Sequence, residues 1–164
     1  MKPIIFFDMD GVLAKWDTET AVEDTFLPGY FLNREPDHLM ISALDSLVRL
    51  GYDVQVLSAV YPGTIYHIEK EDWLWKYGIS VKHTFLPCGE NKANYVSLAD
   101  GQKAILIDDY TRNLVAWECA GDCFIGIKYL NGVNNTNGTW SGFRISNQMD
   151  RDHIVKTIAA VANL

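Results

Sequence analysis

Short apolar runs alternate with longer segments of helical periodicity along the chain. Residues 3–7 are apolar and β-prone without alternating polar positions, which is typical of a strand covered on both faces. Runs of the same kind predict strands at residues 54–57, at residues 83–86 and within the segments KAILIDD and CFIGIKYL. The pattern therefore predicts a mainly parallel sheet of five strands.

Two amphipathic helices are predicted on either side of the second strand. The first has Asp37 as its N-terminal cap and ends at Gly51, and its apolar face is formed by Ile41, Leu44, Leu47 and Val48. The second covers residues 64–77 and carries an apolar stripe formed by Ile65, Ile68 and Trp75. Together with the strands beside them, these helices predict a β-α-β arrangement.

Three more helices are predicted in the second half of the chain. One begins near Asn91, one lies in the segment TRNLVAWECAG, and the last lies in DRDHIVKTIAAVANL with Asp150 or Asp152 near its N-terminus. The segment YLNGVNNTNGTWSGF before the last helix is rich in turn residues, and both a functional loop and a surface meander fit it.

Strands that alternate with helices predict a doubly wound α/β fold with helices on both faces of the sheet and right-handed crossovers. A chain of 164 residues is long enough for one compact domain with one core, so residues 1–164 are expected to form a single domain. In folds of this class, ligands bind outside the carboxyl ends of the strands, at the point where the strand order reverses.

Polar residues are concentrated at the expected carboxyl edge of the sheet. Asp8 and Asp10 follow the first strand, and Ser58 follows the second. Lys92 lies in the loop before the fourth strand, and Asp108 with Asp109 ends that strand. We therefore expect these six side chains to meet at one site.

Several carboxylates close together repel one another and are costly to desolvate, so such a group implies a bound cation. Oxygen ligands favour Mg²⁺, which also accepts phosphate oxygens, and this indicates phosphoryl chemistry. Lys92 and the Ser58 hydroxyl can then bind phosphate, while Asp8 can attack phosphorus to form an aspartyl phosphate. Asp10, placed beyond the strand by the turn at Gly11, can transfer protons to the leaving oxygen and from water.

Four sequence segments resemble, in order, the four motifs of the haloacid dehalogenase (HAD) superfamily of phosphohydrolases. They are DMDGVLA, the serine after VQVL, the lysine of GENK and the acidic pair of LIDD. Within that superfamily, the chain is most similar to the 5′(3′)-deoxyribonucleotidases. DMDGVLAKW resembles their DMDGVLADF, PGYFLNREP resembles their PGFF-x-x-LEP, and EKEDWLWKYG loosely resembles the helix before their lysine motif.

The resemblance implies a HAD-like Rossmannoid fold and hydrolysis through an aspartyl phosphate. It implies that Asp8 is the nucleophile and a metal ligand, and that Asp10 is the acid/base and binds the metal through its carbonyl. Ser58 and Lys92 would bind phosphate. The acidic pair Asp108 and Asp109 would complete the Mg²⁺ site, and which of the two contacts the ion is left open.

The chain departs from the nucleotidase pattern between the first motif and PGYF. Only a short cap-like insertion, at about residues 15–35, replaces the helical cap of that family. A helix made of KWDTETAVEDTFL would span at most ~18 Å, enough to flank a pocket but not to roof it. Trp16 matches the family's substrate-facing Phe, and it can contact a base together with Phe26, Tyr30 and Phe31, although core packing also fits these aromatic residues.

Composition limits the partners and the compartment. The net charge is −7 without a cluster of Lys and Arg, which disfavours stable nucleic-acid binding. The N-terminus enters a strand without a signal segment, so a cytoplasmic protein without membrane association is expected. Cys88, Cys119 and Cys123 are expected to be ordinary thiols, and the oligomeric state is left open.

These observations predict a Mg²⁺-dependent phosphomonoesterase that acts on a small phosphorylated substrate. The resemblance makes the substrate a (deoxy)nucleoside monophosphate and the enzyme a 5′-nucleotidase. The same chemistry on a sugar phosphate, a nucleic-acid end or a phosphoprotein is the alternative. A phospho-receiver signalling domain is less favoured, because the third strand ends in FLPCG without a phosphoacceptor acid.

Overall fold

A parallel sheet of six strands lies at the centre of the protein. The computed structural model describes residues 2–134 and 139–164. The strands are β1 Ile4–Phe7, β2 Asp53–Val60, β3 Lys82–Pro87, β4 Ala104–Asp108, β5 Phe124–Leu130 and β6 Phe143–Ser146. They lie in the order β3-β2-β1-β4-β5-β6, and every neighbouring pair is parallel. This confirms the predicted α/β class.

Helices cover both faces of the sheet. The α-helices are α1 His38–Arg49, α2 Tyr66–Lys76, α3 Thr111–Glu118 and α4 Arg151–Ala162, and 3₁₀ helices cover Val22–Phe26 and Lys92–Tyr95. Residues of α1, α2 and α4 belong to one apolar cluster, and residues of α3 belong to another. Over the described ranges, every helix is too short or too polar to cross a bilayer.

The first strand shows why the apolar runs lack alternation. Ile5 and Phe7 belong to the cluster that contains α1 and α4, whereas Ile4 and Phe6 belong to the cluster that contains α3. All four side chains are buried. A central strand therefore needs apolar residues at both odd and even positions.

The predicted sheet of five strands was one strand too small. The short strand β6 pairs with β5, with Tyr129 opposite Ile145. Of its four residues only Ile145 is fully buried, because β6 is an edge strand, so an apolar run of the usual kind is absent. Only the last residue of the turn-rich segment, Phe143, belongs to β6, and residues 135–138 of that segment lie outside the described part of the chain.

Several predicted helix signals are confirmed. The Asp37 carboxylate accepts hydrogen bonds from the Leu39 and Met40 amides at 3.1 and 3.2 Å, and Asp150 caps α4 through the His153 amide. The helix expected near Asn91 is only a 3₁₀ turn, capped by that side chain. The three cysteines are free thiols.

The buried face of α2 differs from the predicted one. Ile65, Ile68 and Trp75 are exposed, with Trp75 81% accessible. The residues that face inward are Tyr66, Glu69, Lys70, Trp73 and Leu74, which follow helical spacing but include two charges. Similarly, Val48 on α1 is 42% exposed although it was predicted on the buried face. On α2, side-chain polarity alone gave the wrong rotation of the helix.

Two tryptophans of the same helical region provide a test of this packing. Trp73 is fully buried, its indole N–H donates to the Arg34 carbonyl at 2.9 Å, and its ring contacts Phe31 and Tyr77. Trp73→Ala should therefore lower the free energy of unfolding by ~3–5 kcal/mol in urea denaturation. The matched variant Trp75→Ala should change it by less than ~0.5 kcal/mol. A larger loss of unfolding free energy from Trp75→Ala than from Trp73→Ala would instead support the predicted buried face of α2.

Candidate active site

Three acidic side chains meet at the carboxyl edge of the two central strands. Asp8 follows β1, Asp108 is the last residue of β4, and Asp109 follows it. Because β1 and β4 are hydrogen-bonded neighbours in parallel register, with Phe7 opposite Ile107, both strand ends lie together. One carboxylate oxygen from each of the three acids lies within 4.8 Å of the others.

Gly11 allows the loop after β1 to pass directly beside Asp109. Its φ of 76° lies in the left-handed region. The Asp109 carboxylate lies so close to the Gly11 α-carbon that a β-carbon there would overlap it. Asn131 links the two, since its side-chain amide donates to the Gly11 carbonyl at 2.9 Å and to Asp109 Oδ2 at 3.1 Å.

Lys92 bridges the acids of the two strands. Its Nζ atom lies 2.6 Å from Asp108 Oδ2 and 2.9 Å from Asp8 Oδ1, and the side chain is 4% exposed. Burial lowers the pKa of the Lys92 ammonium, but the carboxylates of Asp108 and Asp8 outweigh burial and raise it above its usual value. Lys92 is therefore a fixed positive charge.

The two acids of the LIDD segment have different surroundings. Asp108 accepts hydrogen bonds from Lys92, from the Asn113 side chain at 3.0 Å and from the Tyr110 amide at 2.8 Å. Asp109 accepts a side-chain hydrogen bond from Asn131 through Oδ2. Burial, followed by the charges of Asp108, Asp8 and Asp10, raises the pKa of Asp109 to about 8. Asp109 therefore has more capacity than Asp108 to bind an added cation.

Asp10 and Ser58 are joined by a residue that sequence reasoning missed. Lys70 of α2 places its Nζ 2.5 Å from Asp10 Oδ2 and 3.0 Å from Ser58 Oγ. Ser58 is fully buried inside β2, not after it as predicted, because the strand continues to Val60. The spacing of Tyr66, Trp73 and Leu74 would have placed Lys70 on the inner face of α2.

The charges of this group fit a divalent cation. Four carboxylates lie with two ammonium groups, those of Lys70 and Lys92, so two negative charges remain when all six groups are ionised. Asp8 Oδ1 is buried and lies 2.9 Å from Lys92 Nζ. Oxygen-only ligands of this kind suit Mg²⁺.

Trp16 lies beside the acidic group and not within it. Its side chain is 51% exposed, and it shares a cavity of about 290 Å³ with Gly11 and Asn131. On its other side it shares a cavity of about 620 Å³ with Tyr30 and Arg34. The acids Asp8, Asp10, Asp108 and Asp109 do not line these two cavities.

The insertion at residues 15–35 contains a 3₁₀ helix and is held by buried polar contacts. Arg34 forms an ion pair with Asp17 at 3.3 Å. Its guanidinium group also lies over the Tyr30 ring, in a cation–π contact. Phe31 is fully buried and belongs to the core, so it is not free to contact a substrate. Phe26 is 44% exposed and packs edge-on against Tyr61 at 5.0 Å.

The buried Asp109 carboxyl predicts a specific pH dependence of stability in the metal-free protein. An acid whose pKa rises from 3.8 to about 8 on folding costs stability increasingly as pH rises through that range. In the presence of a chelator, the free energy of unfolding of Asp109→Asn should therefore exceed that of the wild type by at least ~1 kcal/mol at pH 8. This difference should shrink towards pH 5. Urea denaturation at both pH values measures this.

The exposed Asp122→Asn variant is the control and should follow the wild type at both pH values. If the free energies of unfolding of Asp109→Asn and the wild type changed equally between pH 5 and pH 8, the destabilisation assigned to the buried carboxylate would be contradicted.

Comparisons with known proteins place this geometry in a known fold. No family model matches the chain, and no curated protein matches it. Among solved structures, D,D-heptose 1,7-bisphosphate phosphatase from B. bronchiseptica, in complex with magnesium and phosphate, has a TM-score of 0.61 at 16% identity, covering 97% of this chain and 99% of that one.

Two further structures are similar over nearly their full lengths. The D,D-heptose 1,7-bisphosphate phosphatase from Burkholderia thailandensis has a TM-score of 0.62 at 16% identity, with coverage of 97% of this chain and 99% of that one. An uncharacterized protein from Listeria monocytogenes serotype 4b has a TM-score of 0.65 at 14% identity, with coverage of 99% of both chains. The chain therefore shares the α/β fold of these three solved structures, two of which are phosphatases.

Proposed function

We propose that the protein is a Mg²⁺-dependent phosphomonoesterase that works through an aspartyl phosphate on Asp8. The observation that carries this proposal is the pairing of two acids, separated by one residue, with two separate buried lysines. Lys92 lies against Asp8, and Lys70 lies against Asp10. Asp8 thus lies beside the other acids of the cluster, as a nucleophile requires. Asp10 is linked to Ser58 through Lys70, as a proton carrier requires.

The acids Asp8 and Asp109 would hold the metal ion, with the Asp10 carbonyl as a third protein ligand. Asp109 is favoured over Asp108 because three donors already occupy the Asp108 carboxylate. A bound Mg²⁺ supplies positive charge to the phosphoryl oxygens. The similar phosphatase fold that was solved with magnesium and phosphate supports this choice of ion.

In the first step, a carboxylate oxygen of Asp8 attacks phosphorus and forms an O–P bond. The bond between phosphorus and the leaving-group oxygen breaks, and Asp10 in its protonated form donates the proton that this oxygen needs. Lys92 and the Ser58 hydroxyl stabilise the charge on the other phosphoryl oxygens. The first product is the free alcohol.

In the second step, water hydrolyses the aspartyl phosphate. Asp10, now a carboxylate, takes a proton from the water while its oxygen attacks phosphorus. The bond between phosphorus and the Asp8 oxygen breaks, so that inorganic phosphate leaves and the Asp8 carboxylate is restored. The proton stays on Asp10, which is ready for the next cycle.

Aromatic residues near Asp10 support a nucleoside monophosphate as substrate. Tyr30 and Tyr66 stack with ring centroids 6.5 Å apart, and Tyr61 contacts both Tyr66 and Phe26 edge-on. Burial raises the pKa values of Tyr30 and Tyr66, Cys88 raises that of Tyr61, and Asp10 adds to all three. Tyr30 and Tyr61 are partly exposed and can flank a base, whereas Tyr66, like Phe31, is buried.

The phosphate-transfer proposal predicts the effect of replacing the nucleophile. Asp8→Asn should reduce Mg²⁺-dependent phosphate release by at least ~10³-fold, because an amide cannot form the aspartyl phosphate. The exposed Asp152→Asn variant is the matched control and should retain wild-type turnover. Acid quenching with mass spectrometry should find phosphate on the peptide that contains Asp8. Full activity of Asp8→Asn would end the proposal, and a single stable phosphorylation without turnover would favour a receiver domain.

The substrate proposal predicts a role for Trp16. Trp16→Ala should raise KM for nucleoside monophosphates roughly fivefold or more, since one base–aromatic stack contributes ~1–3 kcal/mol, and should leave KM for a sugar phosphate nearly unchanged. Trp75→Ala, which removes a more exposed indole from the outer face of α2, is the control. Kinetics with deoxynucleotides, sugar phosphates and a 3′-phosphorylated oligonucleotide test this. A preference for the sugar phosphate or oligonucleotide would replace the nucleotide assignment.

A further inference from the structure

Lys70 has an unusual position for a lysine. Its side chain is 1% exposed, and its ammonium group donates to Asp10 Oδ2 at 2.5 Å, to Ser58 Oγ at 3.0 Å and to the Ala59 carbonyl at 2.7 Å. Its Nζ atom also lies 4.6 Å from the centre of the Phe31 ring. Every N–H of the ammonium group thus has an acceptor within the protein.

The burial of the Lys70 charge is the opposite of what the pattern of apolar residues on α2 predicts. An amphipathic helix would place Ile65 and Ile68 inward, yet these residues are about half exposed while Lys70 and Glu69 are buried. A buried ammonium group is costly unless it is paired and hydrogen-bonded. The contacts of Lys70 meet that requirement, and they lead to two side chains of the proposed active site.

We infer that Lys70 is a positioning residue for catalysis, which holds the carboxylate of the acid/base Asp10 and the hydroxyl of Ser58 in one fixed arrangement. The inference rests on the proposed phosphatase function. Asp10 is 34% exposed and lies within the turn after β1, so its carboxylate would have several rotamers available without a partner. The contact with Lys70 selects one of them.

The two buried lysines differ in what they can offer a phosphate. Lys92 contacts two carboxylates among the described residues, so one of its three N–H groups remains for a further acceptor. Lys70 has one carboxylate, one hydroxyl and one carbonyl as acceptors, and its N–H groups are all used. Lys70 therefore acts through Asp10 and Ser58, while Lys92 is the lysine that can contact phosphate.

The support behind Lys70 is rigid. The neighbouring Glu69 carboxylate accepts hydrogen bonds from the Gly29 and Phe31 amides, the latter at 2.9 Å. Phe31, Trp73 and Tyr66 pack around this part of α2. Small displacements of a catalytic group are costly to rate, so an acid/base held from a packed helix gains in effectiveness.

This role predicts a dependence on the leaving group. Proton donation by Asp10 matters most when the departing oxygen is strongly basic, and little when it leaves readily as an anion. Removal of Lys70 should therefore slow phenyl phosphate hydrolysis much more than p-nitrophenyl phosphate hydrolysis. These two substrates are similar in shape and differ mainly in leaving-group acidity.

The experiment compares Lys70→Met and Lys70→Gln with the wild type on both substrates in saturating Mg²⁺. We expect kcat for phenyl phosphate to fall by ~10²-fold, kcat for p-nitrophenyl phosphate to fall by less than ~5-fold, and KM to change little. Lys70→Gln, which keeps a polar head, carries the test if the Met variant does not fold. Lys76→Met, on the same helix with an exposed ammonium group, is the control and should match the wild type.

A double-mutant cycle with Asp10→Asn separates positioning from a structural role. If Lys70 acts through Asp10, Lys70→Met should cost less than ~3-fold in the Asp10→Asn background on phenyl phosphate. Equal losses on both substrates, or full additivity with Asp10→Asn, would overturn the inference and leave the phosphatase proposal intact. A wild-type protein that releases no phosphate from these two substrates or from a nucleoside monophosphate would overturn both.

Discussion

The burial of several carboxylates at one edge of the sheet is the constraint on which this arrangement depends. Asp8 and Asp108 are buried, and their mutual repulsion adds to the cost of desolvation. Lys92, in the 3₁₀ helix Lys92–Tyr95, offsets part of that charge by pairing with Asp8 and Asp108, and Lys70 of α2 pairs with Asp10. When all four acids are ionised, two negative charges remain, which a bound divalent cation would neutralise.

The strand order brings the acids to this edge. β1 lies between β2 and β4, so the loop after it is adjacent to the end of β4 on one side and to Ser58 on the other. Buried apolar residues on both faces fix β1 and β4 in register, and they hold the acids at a spacing that the acids alone would oppose. The apolar core thus offsets the destabilisation caused by the clustered acids, as is common where function and stability compete.

The sequence was sufficient to predict the central strands, the cap at Asp37 and the positions of the acids, and it left Asp150 and Asp152 as the two candidates at the start of α4, because each depends on local signals that tertiary contacts reinforce. The strand β6 was missed because an edge strand of four residues buries only one side chain fully. The rotation of α2 was wrong for a different reason. Hydrophobicity assigns charged residues to the surface, whereas the partners of Glu69 and Lys70 lie 38 or more and 11 to 60 residues away in sequence, respectively, where periodicity has no information.

The adjacent charges of α2 also connect the short insertion to the site. Glu69 binds the backbone of the insertion at Gly29 and Phe31, and Lys70 binds Asp10 from the next position along the helix. Phe31 contacts both, because its amide donates to Glu69 and its ring lies under the Lys70 ammonium. A change in the conformation of residues 29–31 would therefore alter the surroundings of Lys70 directly. The insertion can in this way influence the proposed acid/base Asp10 through the helix that carries Lys70.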